Sequence, residues 1–260
     1  MSNLSYMQNA TDRGQLQIHV TTERGFFPIK DASIRLSYTG NPTEIIEELS
    51  TDISGQTAAV ELPAPPLEYS MEPSEFQPYS EYTIQVNASG YRPINISGIS
   101  VLPDKTSIQN VRMETATVDN PLERNIVITA NTLYGNFPPK IPEDEIKPVS
   151  ESGEIVLSRV VIPEYVVVHD GPPTDSRAND YYVRYKDYIK NVASSEIYAT
   201  WPDATIRANV LAIMSFTLNR VFTEWYRNKG YNFTITSSTA YDQKWSYGRT
   251  IYDSISRVVD

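Results

Sequence analysis

The N-terminal part of the chain shows short alternations of apolar and polar side chains. Leu16, Ile18 and Val20 alternate with polar residues, as in a strand with one buried face. Comparable stretches cover residues 32–38, 59–62, 82–86, 99–101 and 111–113, with turns rich in Gly, Pro and Asn between them. Several short strands separated in this way predict an antiparallel β-sandwich over residues 1–116.

A proline-rich segment, residues 64–79, interrupts this series. Its prolines, with one at its edge, are Pro63, Pro65, Pro66, Pro73 and Pro78. Proline removes a backbone donor, so the segment is predicted to be surface structure, either a plain loop or a contact arm.

A second change of pattern occurs between residues 117 and 160. Residues 126–128 form one more possible strand, and the stretch from Asn136 to Pro148 is rich in proline and charge. Such a sequence buries too little apolar area to offset the entropy of ordering. We therefore predict an extended, mobile linker over residues 117–160 and a protease-sensitive domain boundary.

Helical periodicity dominates part of residues 161–260. Ile189, Val192, Ala193 and Glu196 fall at i, i+3, i+4 and i+7, so a carboxylate shares the apolar stripe of a helix. A glutamate is rarely buried unless it is paired or used, and burial would raise its pKa. Glu196 is therefore the candidate general acid.

A second helix is predicted after a break at Trp201-Pro202. Its inward positions are Ile206, Val210, Ile213 or Met214, Thr217 and Val221. A strand over residues 231–236 and a third helix from Ile251 to Val259 complete the pattern. The predicted class is α+β, with the sandwich followed by a helix-rich domain over residues 161–260.

Composition narrows the possible functions. The 260 residues carry a formal net charge of −10, which argues against nucleic acid or an anionic membrane as the main partner. Cysteine is absent, which excludes thiol chemistry, and the two histidines are too few and too far apart for a recognisable metal motif. We expect no metal and no cofactor. The sequence shows no signal peptide and no apolar run long enough to span a membrane.

Two segments of the second half resemble a known family. Residues 188–208 read Y-I-x-x-V-x-x-S-E-I-x-x-x-W-P-x-A-x-x-x-A, and residues 235–245 read I-T-x-x-T-x-x-D-Q-x-W. Both resemble motifs of the SpoIID/LytB domain of sporulation and cell-wall proteins. Residues 166–171, V-V-V-H-D-G, are similar to a segment of SleC-type spore cortex-lytic enzymes. The chain departs from the family at Ile197-Tyr198, where Met-Pro is favoured, and lacks cysteines that some members carry.

The N-terminal strands resemble a different family. Residues 28–32, 51–55 and 82–91 follow the order of the transthyretin-like, carboxypeptidase-regulatory modules. That resemblance implies an accessory domain without catalytic residues.

The SpoIID resemblance implies a lytic transglycosylase that cleaves peptidoglycan glycan strands, with Glu196 as its acid and base. Polar groups beside aromatic rings suit a sugar polymer, because rings stack on apolar sugar faces and amides bond hydroxyls. The predicted substrate-binding residues are Tyr198, Trp201, Thr239, Tyr241, Asp242, Gln243 and Trp245.

The SleC resemblance further implies a precursor located in the spore and acting at germination. A subtilisin-like protease would be its partner and would cut between Lys147 and Val161, and further C-terminal sequence is expected beyond residue 260. The alternative is a non-catalytic protein that binds peptidoglycan or serves in spore assembly.

Overall fold

The computed structural model describes residues 12–23, 25–119, 122–142 and 159–260. These residues form two units that are each discontinuous in sequence. The sandwich unit contains the chain up to Ala130 together with Tyr198–Pro202 and Tyr247–Arg257. The Glu196 unit contains Asn131–Ile197, Asp203–Ser246 and Val258–Asp260.

The regular elements of the described chain are twelve strands and four α-helices. The strands are β1 (Asp12–Thr22), β2 (Ser33–Tyr38), β3 (Asn41–Ser50), β4 (Val60–Ala64), β5 (Ser80–Asn87), β6 (Ile94–Val101), β7 (Thr106–Met113), β8 (Arg124–Val127), β9 (Tyr165–His169), β10 (Asp180–Arg184), β11 (Ile235–Thr236) and β12 (Ile251–Tyr252). The helices are α1 (Glu68–Met71), α2 (Tyr185–Glu196), α3 (Asp203–Phe222) and α4 (Asp253–Val259). Within the described ranges, no helix is long and apolar enough to cross a membrane.

The sandwich unit has two sheets, in the orders β3-β2-β5-β6-β8 and β12-β7-β1-β4. Alternating side chains of both sheets form one apolar core, in which Leu16, Ile18 and Ile84 are fully buried. The predicted N-terminal β-sandwich is thus confirmed. It is not wholly antiparallel as predicted, because β1 pairs with β7 and β6 pairs with β8 in parallel.

The proline-rich segment is a contact arm within the sandwich unit. It contains α1, and the indole of Trp201 donates to the Ser70 carbonyl oxygen at 2.8 Å. The Thr200 hydroxyl also bonds the Ser70 hydroxyl, at 2.9 Å. Residues far along the chain therefore pack on this arm.

The predicted linker is only partly a linker. β8 belongs to the sandwich unit, and residues 131–142 belong to the Glu196 unit. There the Thr132 amide donates to the Ser195 carbonyl at 2.9 Å, and the Ile141 amide donates to the Ala240 carbonyl at 2.7 Å. Residues 131–142 are thus ordered by backbone hydrogen bonds, while residues 143–158 lie outside the described residues.

The predicted helix-rich domain is not evident. The Glu196 unit contains α2 and α3, and also a three-stranded sheet in the order β10-β9-β11. Ile251 and Tyr252, predicted as the start of a helix, instead form β12 and pair with β7, so that α4 begins only at Asp253. The chain is therefore a mixed α and β protein in which sheets predominate.

Substitutions at two glycines can test how closely the strands of the sandwich approach each other. Gly90 and Gly98 have φ angles of +83° and +80°, so alanine is strained at either position. A Cβ at Gly90 would meet nothing within 4 Å, whereas one at Gly98 would overlap the Ile128 carbonyl oxygen. We expect Gly98→Ala to lower the free energy of unfolding by a further ~1–3 kcal/mol compared with Gly90→Ala. Urea unfolding of both variants measures this difference, and equal losses would contradict the close approach.

Candidate active site around Glu196

Glu196 is the last residue of α2. The predicted apolar stripe of this helix is confirmed, because Ile189, Val192 and Ala193 are fully buried. The helix ends there because Ile197 is in an extended conformation, with φ −132°. The end of the helix thus places a carboxyl group on the buried face.

The two sequence motifs meet at this carboxyl group. The Lys244 amide, between Gln243 and Trp245 of the second motif, donates to Glu196 Oε1 at 2.6 Å. The two motifs are separate in the sequence, and this hydrogen bond joins them in the structure.

Gln243 attaches the second motif to both helices. Its Oε1 accepts from the hydroxyl groups of Tyr188 on α2, at 3.2 Å, and Thr217 on α3, at 2.9 Å. Its Nε2 donates to the Ile213 carbonyl oxygen at 3.1 Å. The side chain is buried, so its polar atoms are used within the protein.

The electrostatic surroundings of Glu196 favour the protonated carboxyl group. Burial raises the pKa of Glu196 above its ordinary value, while the Lys244 amide and the Lys140 charge act against that rise. The carboxyl group therefore keeps its proton to a higher pH than an exposed glutamate does. This is the property that a general acid requires.

Asp242 is the centre of a buried network in the same unit. Arg220 Nε donates to Asp242 Oδ1 at 2.7 Å, and the Tyr226 hydroxyl donates to Oδ2 at 2.6 Å. Thr236 donates to Oδ2 twice, from its amide at 2.9 Å and its hydroxyl at 2.6 Å. Burial, and then the Asp242 charge, raises the pKa of Tyr226. Asp242 is therefore held as a paired carboxylate rather than a free base.

Lys140 brings a positive charge to this region from residues that the sequence placed in the linker. Its Nζ donates to the Asp242 carbonyl oxygen and lies 5.3 Å from the centre of the Phe216 ring. On the other side, Lys244 Nζ lies 5.3 Å from the centre of the Phe137 ring. Residues 131–142 are thus part of the surroundings of Glu196.

The predicted substrate-binding residues fall into two classes. Trp201, Thr239 and Tyr241 are partly exposed, whereas the others are buried; these are Tyr198, Asp242, Gln243 and Trp245. Tyr198 and Trp201 belong to the sandwich unit, and the remaining residues belong to the Glu196 unit.

Three residues of this arrangement were not predicted from the sequence: Arg220, Tyr226 and Lys140. Arg220 had a visible signal, because it lies three residues after Thr217 on the inward stripe of α3. An arginine at such a position needs an acidic partner, and Asp242 in the following loop supplies it. No sequence pattern indicates a role for Lys140, because the residues around it predict an extended linker.

A histidine lies outside this arrangement. His169 Nδ1 lies 2.7 Å from Asp180 Oδ1, and the imidazole stacks on Phe233 with ring centres 4.4 Å apart. Its partner is thus not the adjacent Asp170. Within the described part of the chain, no group of three His, Cys, Asp or Glu residues is placed to hold a metal ion.

Neither a protein-family model nor a curated protein matches the chain. Among solved structures it is similar to the Bacillus anthracis TIE protein, with 17% identity, a TM-score of 0.28, and coverage of 40% of this chain and 17% of that one. The minor pilin GBS52 of Streptococcus agalactiae gives 13% identity, a TM-score of 0.29, and coverage of 41% and 46%. The 5-hydroxyisourate hydrolase of Klebsiella pneumoniae gives 16% identity, a TM-score of 0.25, and coverage of 40% of this chain and 92% of that one.

The chain therefore spans less than half of the length of the first two of these proteins. At such TM-scores the similarities assign neither a family nor a function.

The buried ion pair can be tested on α3 with a matched control. Arg220→Met leaves Asp242 charged and buried without its cation, and we expect a loss of about 3–5 kcal/mol in the free energy of unfolding. Arg207→Met, at an exposed position of the same helix, is expected to change it by less than about 0.5 kcal/mol. Urea unfolding measures both, and similar values for the two variants would contradict the network.

Proposed function

We propose that this chain is part of the precursor of a lytic transglycosylase that cleaves the peptidoglycan of the spore cortex. The supporting observation is Glu196, a partly buried carboxyl group with a raised pKa, hydrogen-bonded by the second motif through the Lys244 amide. In the SpoIID/LytB family that the sequence resembles, the glutamate at this position of the motif is the catalytic one.

The proposed reaction needs one carboxyl group. Protonated Glu196 donates its proton to the glycosidic oxygen as the bond to the anomeric carbon of muramic acid breaks. The 6-hydroxyl of the same sugar then attacks the anomeric carbon, and the Glu196 carboxylate accepts the hydroxyl proton. The products are an anhydro-muramic end and a free 4-hydroxyl, and Glu196 returns to its protonated form.

Asp242 and Asp203 are the candidates for a second catalytic carboxylate, and the surroundings of each favour a mechanism with one carboxyl group. An ordinary glycosidase requires a second carboxylate that acts as base or nucleophile. Asp242 is buried and fully engaged by Arg220, Tyr226 and Thr236, so it is unsuited to that role. Asp203 is exposed at the first position of α3, outside the buried surroundings that raise the pKa of Glu196.

Contact with the glycan is proposed for the partly exposed members of the predicted set in the Glu196 unit, Thr239 and Tyr241. A tyrosine ring stacks on an apolar sugar face, and a threonine hydroxyl bonds sugar hydroxyls. The buried Asp242, Gln243 and Trp245 shape the loop that carries Lys244, and Trp245 packs on Tyr181 with ring centres 5.4 Å apart.

Activation by a subtilisin-like protease is part of the proposal. The expected cut lies between Lys147 and Val161, most of which is outside the described residues. At the described end of this interval, Val160 is 61% exposed and Val161 is 43% exposed. Apolar residues in this exposed position are accessible to a protease of that class.

A non-catalytic protein that binds peptidoglycan or serves in spore assembly is the second candidate function. It is favoured by the burial of Tyr198, Asp242, Gln243 and Trp245, which leaves fewer side chains for a catalytic groove. This hypothesis predicts glycan binding that does not depend on Glu196.

The role of Glu196 is tested by digestion of purified cortex peptidoglycan, with mass spectrometry of the soluble products. Glu196→Gln keeps the shape of the side chain and removes the acid, so we expect anhydro-muramic products to fall by at least about 100-fold. Glycan binding in a sedimentation assay should stay unchanged.

Asp203→Asn is the matched control, because it removes an exposed carboxylate near Glu196 in sequence. We expect it to keep full activity. Products with reducing ends would indicate a hydrolase, and equal behaviour of wild type and Glu196→Gln would support the binding protein instead.

The influence of Lys140 predicts a shift in pH dependence. The Lys140 charge lowers the pKa of Glu196, so Lys140→Met should raise that pKa further. Because the acid must begin protonated, the basic limb of the pH–rate profile should move to higher pH. Lys140→Arg keeps the charge and should keep the limb in place. A limb that moves to lower pH in Lys140→Met, or that moves equally in the exposed control Lys186→Met, would contradict this assignment.

A further inference from the structure

The end of the described chain is built into the sandwich. β12 pairs antiparallel with β7, with Ile251 opposite Ile108 and Tyr252 opposite Ser107. β12 is the edge strand of the sheet β12-β7-β1-β4. Residues after the expected protease cut thus complete a sheet whose other strands all precede it.

The contact between these two parts of the chain is buried and polar. Gln109 on β7 donates through Nε2 to the Gly248 carbonyl at 2.9 Å and accepts through Oε1 from the Thr250 hydroxyl at 2.8 Å. Gln109 and Thr250 are both fully buried. If the segment 247–257 left, Gln109 would lose these two hydrogen bonds and would keep that of Nε2 to the Asn110 carbonyl oxygen, at 3.2 Å. The loss of a hydrogen-bond partner by a polar group in this position is costly.

Two further side chains join the same parts of the chain. The Tyr252 and Ser100 hydroxyl groups are hydrogen-bonded at 2.7 Å and buried. Arg249 is 4% exposed and donates to the Thr129 carbonyl oxygen at 2.7 Å. A charged arginine stays buried only while its hydrogen bonds are formed.

The Glu196 unit contains a second contact across the expected cut. Residues 131–142 precede the cut, and their amides donate to the Ser195 and Ala240 carbonyls. The Asn131 side chain also donates to the Ile197 carbonyl at 3.2 Å. Through Lys140 this segment supplies a charge that acts on Glu196.

We infer that the expected cut, between Lys147 and Val161, leaves two chains that remain together, with the N-terminal chain as a permanent subunit that binds β12 and keeps residues 131–142 beside Glu196. This inference rests on the proposed function only in taking the cut as the activating event. The sandwich is then not a pro-region that leaves, and its partner is the C-terminal chain of the same molecule.

The test uses the full chain with a recognition sequence for a specific protease placed at residues 150–153. After complete cleavage at about 1 μM protein, native size-exclusion chromatography should give one peak at the position of the uncut chain. Mass spectrometry of this peak should find both pieces, and 6 M urea, roughly the concentration that unfolds small domains, should separate them. Elution of the N-terminal piece in a separate native peak would overturn the inference.

Gln109→Ala tests the interface itself. In the uncut chain β12 is tethered, so its high effective concentration preserves the pairing. After the cut the contact is bimolecular, and we expect the dissociation constant of the two pieces to rise about tenfold or more. Asn110→Ala, exposed on the same strand, is the matched control and should leave that constant unchanged. An unchanged constant in Gln109→Ala would contradict the inference.

Tyr252→Phe serves where Gln109→Ala does not fold, because it removes only the hydroxyl group that bonds Ser100. The same assay measures it, with a weaker complex expected. These readouts need no activity. Pieces that stay together in an inactive protein support this inference and contradict the transglycosylase, whereas an active C-terminal piece that elutes alone contradicts this inference only.

Discussion

The ion pair between Arg220 and Asp242 is the interaction on which the arrangement around Glu196 depends. Both side chains are almost completely buried, 2% and 1% exposed, so neither charge is solvated by water. Burying two charges costs several kcal/mol, which only good geometry and further hydrogen bonds offset. Asp242 satisfies this requirement through Tyr226 and Thr236. The ion pair therefore fixes the position of the loop that contains Asp242. Lys244, two residues later in this loop, donates its amide hydrogen to Glu196.

Opposing effects set the pKa of Glu196, and this loop contributes one of them through the Lys244 amide. Burial removes water from the carboxyl group and disfavours its charge, while the Lys244 amide and Lys140 stabilise the charge. Burial is the larger effect, so the pKa of Glu196 is raised. The amide hydrogen bond and the lysine limit that rise as long as the loop and residues 131–142 stay in place.

Local periodicity explains which parts of this structure were predictable. The stripes of α2 and α3 and the alternation in β1 depend on neighbours along the chain, so the sequence revealed them. β3 was missed because its residues are nearly all exposed and rich in glutamate, as in a protected edge strand. β12 was missed because two residues carry no period, and its pairing joins residues 107–108 to 251–252.

The same distinction applies to the candidate site. Glu196 was visible as a carboxylate on an apolar stripe, and Asp242 and Gln243 were visible through the family resemblance. Their physical roles were not, because Asp242 depends on Arg220 and Gln243 depends on Thr217, partners on another helix. The sequence around Lys140 is rich in proline and charge, which predicts a disordered linker. In the structure, carbonyl groups that are distant in sequence accept hydrogen bonds from the backbone of this segment and order it.

The pairing of β7 with β12 bears on whether the chain folds before or after the proposed cut. Pairing β7 with β12 requires closing a loop of more than a hundred residues, and its entropic cost grows only slowly with length while the chain is intact. A chain that is cut before folding has no loop to close and must instead meet its partner by diffusion. The intact chain therefore assembles β12 and residues 131–142 as intramolecular contacts, which the proposed cut would leave already formed. The uncut chain is then the form that folds, and the proposed proteolysis would act on an interface that is already complete.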